Sequence, residues 1–170
     1  MIIYFYGKAH PGIIPGSSSI SNNIPQTITP IANTTTVQNM KALDLPPNGE
    51  VHYFEQKESI APFNINTQPN TNYFIKLVDH NTGQLALTIF VRGGQNVNIQ
   101  VPLGSYELRY ALGTNWYGED QLFGPGTAFE KADTILAFYR NGNQVVGNTV
   151  SLIRQVNGNM PTTEINKANF

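Results

Sequence analysis

Apolar and polar side chains alternate through residues 73–112, and short glycine-containing turns interrupt the alternation. A period of two is typical of β-strands, because successive side chains point to opposite faces of a sheet. The apolar positions are Leu85, Leu87, Ile89 and Val91, then Val97, Ile99 and Val101, then Tyr106, Leu108, Tyr110 and Leu112. The turns contain Asn81-Thr82-Gly83, Gly93-Gly94 and Leu103-Gly104, where glycine adopts the positive φ of tight hairpins. This stretch therefore predicts four strands in a meander.

Further strand patterns flank the meander. They lie at residues 51–57, 60–66, 134–140 and 144–155. Pro62 marks its run as a strand start or a sheet edge, and Asn141-Gly142-Asn143 predicts the turn of a final hairpin. Residues 128–133 are interpreted as a short helical turn. Seven or eight closely spaced strands with almost no helix predict an all-β fold, an antiparallel β-sandwich.

The strongest break in the chain is Pro46-Pro47-Asn48-Gly49, which predicts a domain boundary. We expect an N-terminal strand and an extended arm rich in Pro, Ser, Thr and Asn over 1–50, the sandwich over 51–156, and a polar tail over 157–170. A last helical turn is predicted within the tail, at residues 164–169.

The arm has no Asp, Glu, Lys or Arg between residues 9 and 40, yet isoleucine recurs in it. Its prolines favour extended or irregular backbone, whereas its isoleucines favour packing against a surface. That surface is either its own domain or a neighbouring subunit. The β-prone run at residues 2–6 has the same two choices, since exposed sheet edges accept strands from other chains. The candidate assembly contacts are Ile2, Ile3, Tyr4, Phe5, Tyr6, Ile13, Ile14, Ile20, Ile24, Ile28 and Ile31.

The segment 76–110 resembles the transthyretin-like, carboxypeptidase-regulatory-like class of β-sandwich. The resemblance rests on a strand ending in Asp79, a turn with Thr82-Gly83, and the sequence VPLGSYELRY at 101–110. It implies a sandwich that acts as a structural, adhesive or positioning module. The stretch WYGEDQLFGP, which begins at Trp116, is similar to one in uncharacterised bacterial and phage proteins.

Charged residues make up only 12% of the chain, and the net charge is −1. Weak repulsion between copies favours self-association, and scattered Lys and Arg disfavour nucleic-acid binding. The absence of cysteine excludes disulfides and thiolate chemistry. Neither a signal peptide nor the run of about 20 apolar residues of a membrane span is recognisable. Nucleic-acid and membrane partners are therefore not expected.

Residues suited to catalysis are scattered. His10, His52 and His80 show no metal-ligand spacing, and Ser105 lacks a nucleophile elbow. Glu119-Asp120 are adjacent, so in an extended loop their carboxylates point apart, whereas glycoside hydrolysis needs two that face each other. We expect no enzyme activity, no catalytic or metal residues and no cofactor.

The loop after the meander, residues 113–127, holds the only tryptophan. Trp116 and Tyr117 have three interpretations: packing against the end of the sandwich, contact with another subunit, or an exposed sugar-stacking platform. Glu119 and Asp120 belong to the same candidate interface or ligand loop.

These patterns together predict a non-enzymatic structural subunit of a larger assembly, a homo-oligomer or a complex with other structural subunits. A virion component, such as a bacteriophage capsid or tail protein interlocked through its arm, is the preferred hypothesis. The alternatives are an extracellular or cell-surface fibre or pilus subunit that uses strand donation, and a carbohydrate-binding module that uses the Trp116 loop.

Overall fold

Eleven β-strands and two short 3₁₀ turns form the part of the chain that the computed structural model describes, residues 40–153 and 161–170. The strands are β1 (Glu50–Tyr53), β2 (Ser59–Thr67), β3 (Asn72–Asp79), β4 (Leu85–Val91), β5 (Asn96–Pro102), β6 (Gly104–Gly113), β7 (Ala128–Ala132), β8 (Leu136–Asn141), β9 (Gln144–Val146), β10 (Asn148–Leu152) and β11 (Thr162–Glu164). The 3₁₀ turns are Gly124–Gly126 and Lys167–Asn169. The predicted arm contacts and the N-terminal strand lie outside the described residues.

The strands form two sheets. The large sheet has the order β1-β4-β3-β6-β7-β11, with β8 also paired to β6 and β9 paired to β8. The small sheet has the order β10-β2-β5. Every pair is antiparallel except β10 with β2, which is parallel. The predicted all-β, antiparallel sandwich is confirmed, with more strands in the described residues than the seven or eight expected.

A hydrophobic core fills the space between the two sheets. The small sheet contributes Ala61, Phe63, Ile65, Val97, Val101, Val150 and Leu152, and the large sheet contributes Ile75, Leu77, Leu87, Ile89, Val91, Tyr106, Leu108 and Phe138 among others. One face of each strand points inward, and the core accordingly includes these predicted alternating positions: Leu87, Ile89, Val91, Val97, Val101, Tyr106 and Leu108. Phe63 and Phe138 meet edge to face across the core, with ring centroids 5.5 Å apart.

The predicted meander is wrong in one respect, because β5 does not pair with β4 or β6. Residues 92–95 carry the chain from the large sheet to the small one, where β5 pairs with β2. This corner packs against the corner between β2 and β3. A Cβ on Gly93 would lie 2.6 Å from the carbonyl oxygen of Thr71, and one on Gly94 would lie 3.4 Å from Cα of Pro69. Gly93 is therefore required by the close approach of the two corners, and Gly94 by its positive φ of +74°.

The predicted helical turn at 128–133 is wrong, because residues 128–132 are strand β7. β7 pairs with residues 109–112 of β6, and β8 pairs with residues 104–106 farther along the same edge. Residues 128–141 thus follow the whole edge of β6 as one interrupted strand. The backbone hydrogen bonds that this edge offers account for the extended conformation.

The final hairpin is confirmed by β8 and β9, but its second arm divides at Gly147. After Gly147 the chain enters the small sheet as β10, parallel to β2. A Cβ on Gly147 would lie 1.9 Å from the carbonyl oxygen of Pro62. Only glycine permits this approach of the chain to β2.

Candidate functional site

The outer face of the large sheet, opposite the small sheet, carries a second group of buried apolar side chains. This outer aromatic cluster consists of Phe74, Phe90, Ala111, Trp116, Leu122 and Phe123, with Leu45, Phe129 and Phe170 packed against it. Phe74 and Phe90 lie on β3 and β4, whose other face lines the core between the sheets. The central strands of the large sheet are therefore buried on both faces.

Trp116 lies at the centre of the outer aromatic cluster and is only 5% exposed. Its ring centroid is 5.6 Å from Phe74, 5.1 Å from Phe90 and 5.4 Å from Phe123. Leu43 donates its backbone N–H to the carbonyl of Trp116 at 2.8 Å. Trp116 thus packs against the sandwich, which is the first of the three interpretations given above. The face of its indole ring is not open to a sugar ring.

The loop holds its shape through backbone hydrogen bonds. Tyr117 donates to the carbonyl of Leu122 at 2.8 Å, and Leu122 donates to the carbonyl of Gly118 at 2.6 Å. Gly124 has φ +76°, and a Cβ there would lie 2.9 Å from the ring of Tyr117. Tyr117 is half-buried, and its ring lies close to Gly124 of the same loop.

The two acidic residues of the loop contact different parts of the molecule. Glu119 Oε1 lies 3.5 Å from Nδ1 of His52 on β1, and His52 Nε2 lies 3.3 Å from Oε1 of Glu50. Asp120 instead accepts a hydrogen bond at its backbone carbonyl from Lys167 Nζ, at 2.9 Å. His52 joins strand β1 to the loop as a half-exposed imidazole between two carboxylates, with no hydroxyl or thiol in these contacts to act as a nucleophile.

Phe170 completes the outer aromatic cluster, and sequence reasoning missed it. Its ring is 5.2 Å from Phe129, and Lys76 Nζ lies 4.2 Å above it as a cation–π contact. Lys76 also donates to the backbone oxygen of Phe170 at 3.3 Å, and Arg109 donates to that of Asn169 at 3.0 Å. Burial, together with the nearby Arg109 charge, lowers the pKa of Lys76. An aromatic residue in a polar stretch was the available signal.

The stretch predicted as a polar tail thus adds both an edge strand and a cover to the sheet. β11 pairs with β7, and Ile165 donates its N–H to the carbonyl of Phe129 at 3.0 Å. The predicted turn at 164–169 is found as a 3₁₀ turn at Lys167–Asn169, where the Asn166 side chain accepts from the N–H of Asn169 at 3.0 Å.

Residues 40–49 cross the outer face from one side to the other. Met40 lies beside Gly124, Phe129 and Lys167, where it lines an open cleft of about 280 Å³. The Arg92 guanidinium then holds the carbonyls of Leu45 and Pro46, both at 2.8 Å. The predicted break at 46–49 is a turn next to β1, and the chain before it already belongs to the cover of the sandwich.

The polar groups of Tyr110, Glu130 and Thr162 in the large sheet are structural donors and acceptors. Tyr110 donates its hydroxyl to Glu130 at 2.5 Å, and Thr162 of β11 donates to the same carboxylate at 2.8 Å. Burial raises the pKa of Tyr110, and its hydrogen bond to Glu130 raises it further. Tyr110 therefore stays protonated and serves as a donor at neutral pH, a role that ties β6 to β7 and β11.

Five strands pair with only one other strand within residues 40–153 and 161–170: β1, β11 and β9 in the large sheet, and β5 and β10 in the small sheet. β5 is partly capped, since Tyr53 donates its hydroxyl to the carbonyl of Gln100 at 2.7 Å and Asn48 donates to that of Asn96 at 3.2 Å. β11 has only three residues, all polar and exposed. β1 ends in two adjacent exposed aromatics, Tyr53 at 47% and Phe54 at 57%.

No group of three or more His, Asp or Glu among the described residues is arranged to hold a metal ion. The same part of the chain contains no helix that is long and apolar enough to cross a membrane.

No protein-family model matches the chain, no curated protein matches its sequence, and no solved structure matches it. The transthyretin-like resemblance of residues 76–110 therefore stays a prediction.

Proposed function

We propose that this protein is a non-enzymatic structural subunit of a larger protein assembly, held in place through residues 1–39 of the predicted arm. The observation that carries the proposal is that the sandwich is complete without that arm. Residues 40–153 and 161–170 cover both faces of the large sheet. We therefore assign the apolar side chains of the arm to another surface.

The surface of the sandwich supports this reasoning. The outer face of the small sheet carries polar side chains, namely Asn64, Asn66, Asn98, Gln100, Thr149 and Ser151. Among the described residues, the large exposed apolar side chains are Leu43, Tyr53, Phe54, Tyr139 and Ile153. The described surface therefore presents no broad apolar groove that would suit the six isoleucines between residues 13 and 31.

The energetics are compatible with interlocking. Burial of one large apolar side chain contributes about 1.5–3 kcal/mol, while ordering the backbone costs about 1–2 kcal/mol per residue. A long arm therefore binds only where apolar burial is combined with new backbone hydrogen bonds, as in strand addition to a sheet. A virus particle, such as a bacteriophage capsid or tail, is the assembly we favour, and an extracellular fibre or pilus is the alternative.

The glycan-binding alternative required Trp116 to be exposed. Because this ring is buried among Phe74, Phe90 and Phe123, we do not carry that function forward.

The proposal is tested by comparing the mass in solution of the full chain with that of a chain that begins at Met40. The start at Met40 keeps the Leu43–Trp116 bridge and the Arg92 contacts, which a start at Glu50 would remove. We expect the full chain to form an oligomer and the shorter chain to be a monomer with a similar melting temperature. The same oligomeric state for the two chains would contradict the proposal.

A further inference from the structure

Strand β1 is an edge with hydrogen-bonding groups available for another strand. Phe54 donates its N–H to the carbonyl of Ala86 on β4 at 2.9 Å. In an antiparallel ladder the bonding side alternates along the strand, so Val51 and Tyr53 turn their N–H and C=O away from β4. No strand among the described residues lies on that side.

The side chains at this edge favour an uncharged apolar strand. Tyr53 and Phe54 are about half exposed, whereas His52 contacts the carboxylates of both Glu50 and Glu119. Edges that avoid pairing are often very short or carry charged side chains, proline or a bulge; β1 has four residues, of which Glu50 is charged. β1 contains neither lysine nor proline, and its exposed end is aromatic.

We propose that β1 accepts residues 2–6 of a neighbouring copy of this chain as an added strand; this inference rests on the proposed function. Residues 2–6 are Ile, Ile, Tyr, Phe and Tyr, a β-prone run without charge. Added next to β1, they pair with the free backbone groups of Val51 and Tyr53. Their alternate side chains lie beside the exposed rings of Tyr53 and Phe54.

The neighbouring copy is favoured over the same chain by the place where the arm joins the sandwich. Met40 lies beside Phe129 of β7, and β1 lies four strands away, about 20 Å at the usual strand spacing. An arm that returned to its own β1 would cross an outer face that residues 40–49, Trp116 and Phe170 already cover. In its extended form the linker 7–39 reaches about 110 Å, far enough for another subunit.

Disulfide trapping tests this contact, because the chain contains no cysteine. One full chain carries Phe54→Cys, and a second carries a single cysteine at each of residues 2–6 in turn, so that the register is scanned. The two are mixed, left to assemble and oxidised. We expect a covalent dimer for alternate donor positions, since side chains alternate along a strand. The matched control is Glu164→Cys on β11, the other end of the large sheet, which is expected to give no dimer.

A cross-link to Glu164→Cys and not to Phe54→Cys would overturn the choice of edge. A disulfide that forms only when both cysteines are in one chain would overturn the choice of a neighbouring copy. If the full chain and the Met40 chain have the same oligomeric state, the proposed function itself fails. If only the full chain is an oligomer and no cross-link to Phe54→Cys forms, the proposed function holds and the β1 contact is wrong.

Phe54→Lys and Val51→Pro provide a second measurement on the full chain. Lysine disfavours strand addition, and proline at Val51 removes an N–H that faces away from β4. Both are expected to shift sedimentation toward the monomer, whereas Glu164→Pro, which removes the equivalent outward N–H on β11, is expected to leave the oligomer unchanged. Because Phe54 is exposed, its substitution keeps the test valid even if the proline variant unfolds.

Discussion

Asp79 ends strand β3 and holds the following turn with its own carboxylate. Its Oδ1 accepts hydrogen bonds from the N–H groups of Asn81 and Thr82, both at 2.9 Å. Gly83 closes the turn with φ +71° and donates to the carbonyl of Asp79 at 2.8 Å. Asp79 and the Thr82-Gly83 pair of the sequence pattern therefore belong to the same turn, in which the Asp79 side chain accepts hydrogen bonds from backbone N–H groups of the turn.

The carboxylate of Asp79 makes stability dependent on pH. The hydrogen bond from the backbone N–H of Thr82 is the largest effect on the pKa of Asp79, and it lowers that pKa. Burial opposes this shift, and the hydrogen bond from the N–H of Asn81 lowers the pKa further. The stabilisation is therefore complete above the unfolded pKa of about 4 and is lost as pH falls through the lower folded pKa.

We expect Asp79→Ala to lower the free energy of unfolding by about 1.5–3 kcal/mol at pH 7, because two charge-assisted hydrogen bonds are lost. Asp79→Asn keeps an acceptor oxygen and is expected to cost less. Urea unfolding at pH 7 and below about pH 3 measures both effects. The difference between wild type and Asp79→Asn should shrink in acid, and a difference that is the same at both pH values would contradict this origin.

At the scale of elements, alternation located the inward faces of β4, β5 and β6 but concealed the outer aromatic cluster. Strands buried on both faces appear as nearly continuous apolar runs, and LALTIFV over Leu85–Val91 is such a run, with Thr88 its only polar residue. Phe74 and Phe90 were therefore visible in the sequence as excess apolar residues. Strands β7 and β11 could not be recognised from the sequence. Their extended conformation comes from pairing with a neighbouring strand edge and not from their own residue pattern.

The cover over the large sheet depends on Trp116. Trp116→Ala is expected to lower the free energy of unfolding by about 3–5 kcal/mol, since it empties the space between Phe74, Phe90 and Phe123. Tyr117→Ala, next along the chain at a half-buried position, is the control and is expected to cost clearly less. Chemical denaturation of both variants measures the difference. Comparable losses for the two would show that the loop and not the buried ring supplies the stability.

For the whole molecule, the sequence established the fold class but not the division of strands between sheets. Gly93-Gly94 was predicted as a hairpin turn, and it is the corner that sends β5 to the small sheet. The distinction depends on Thr71 and Pro69, which meet the glycines only in the folded chain. The placement of Phe170 on the outer face is likewise a long-range contact that no local pattern determines.

The proposed assembly has a physical signature that follows from its charge. Residues 9–40 contain no Asp, Glu, Lys or Arg, and the whole chain has a net charge of −1. If the arm binds through apolar burial and backbone hydrogen bonds, screening by salt should change the affinity of the oligomer only slightly. We expect the dissociation constant of the full-chain oligomer to change less than about threefold between 0.05 and 0.5 M NaCl, as measured by sedimentation velocity across a dilution series. Ammonium sulfate at the same ionic strength should strengthen association, because excluded salts increase apolar burial. An affinity that falls tenfold or more in NaCl would instead place ion pairs at the interface, and the contact would then have to involve the charged sandwich surface and not the uncharged arm.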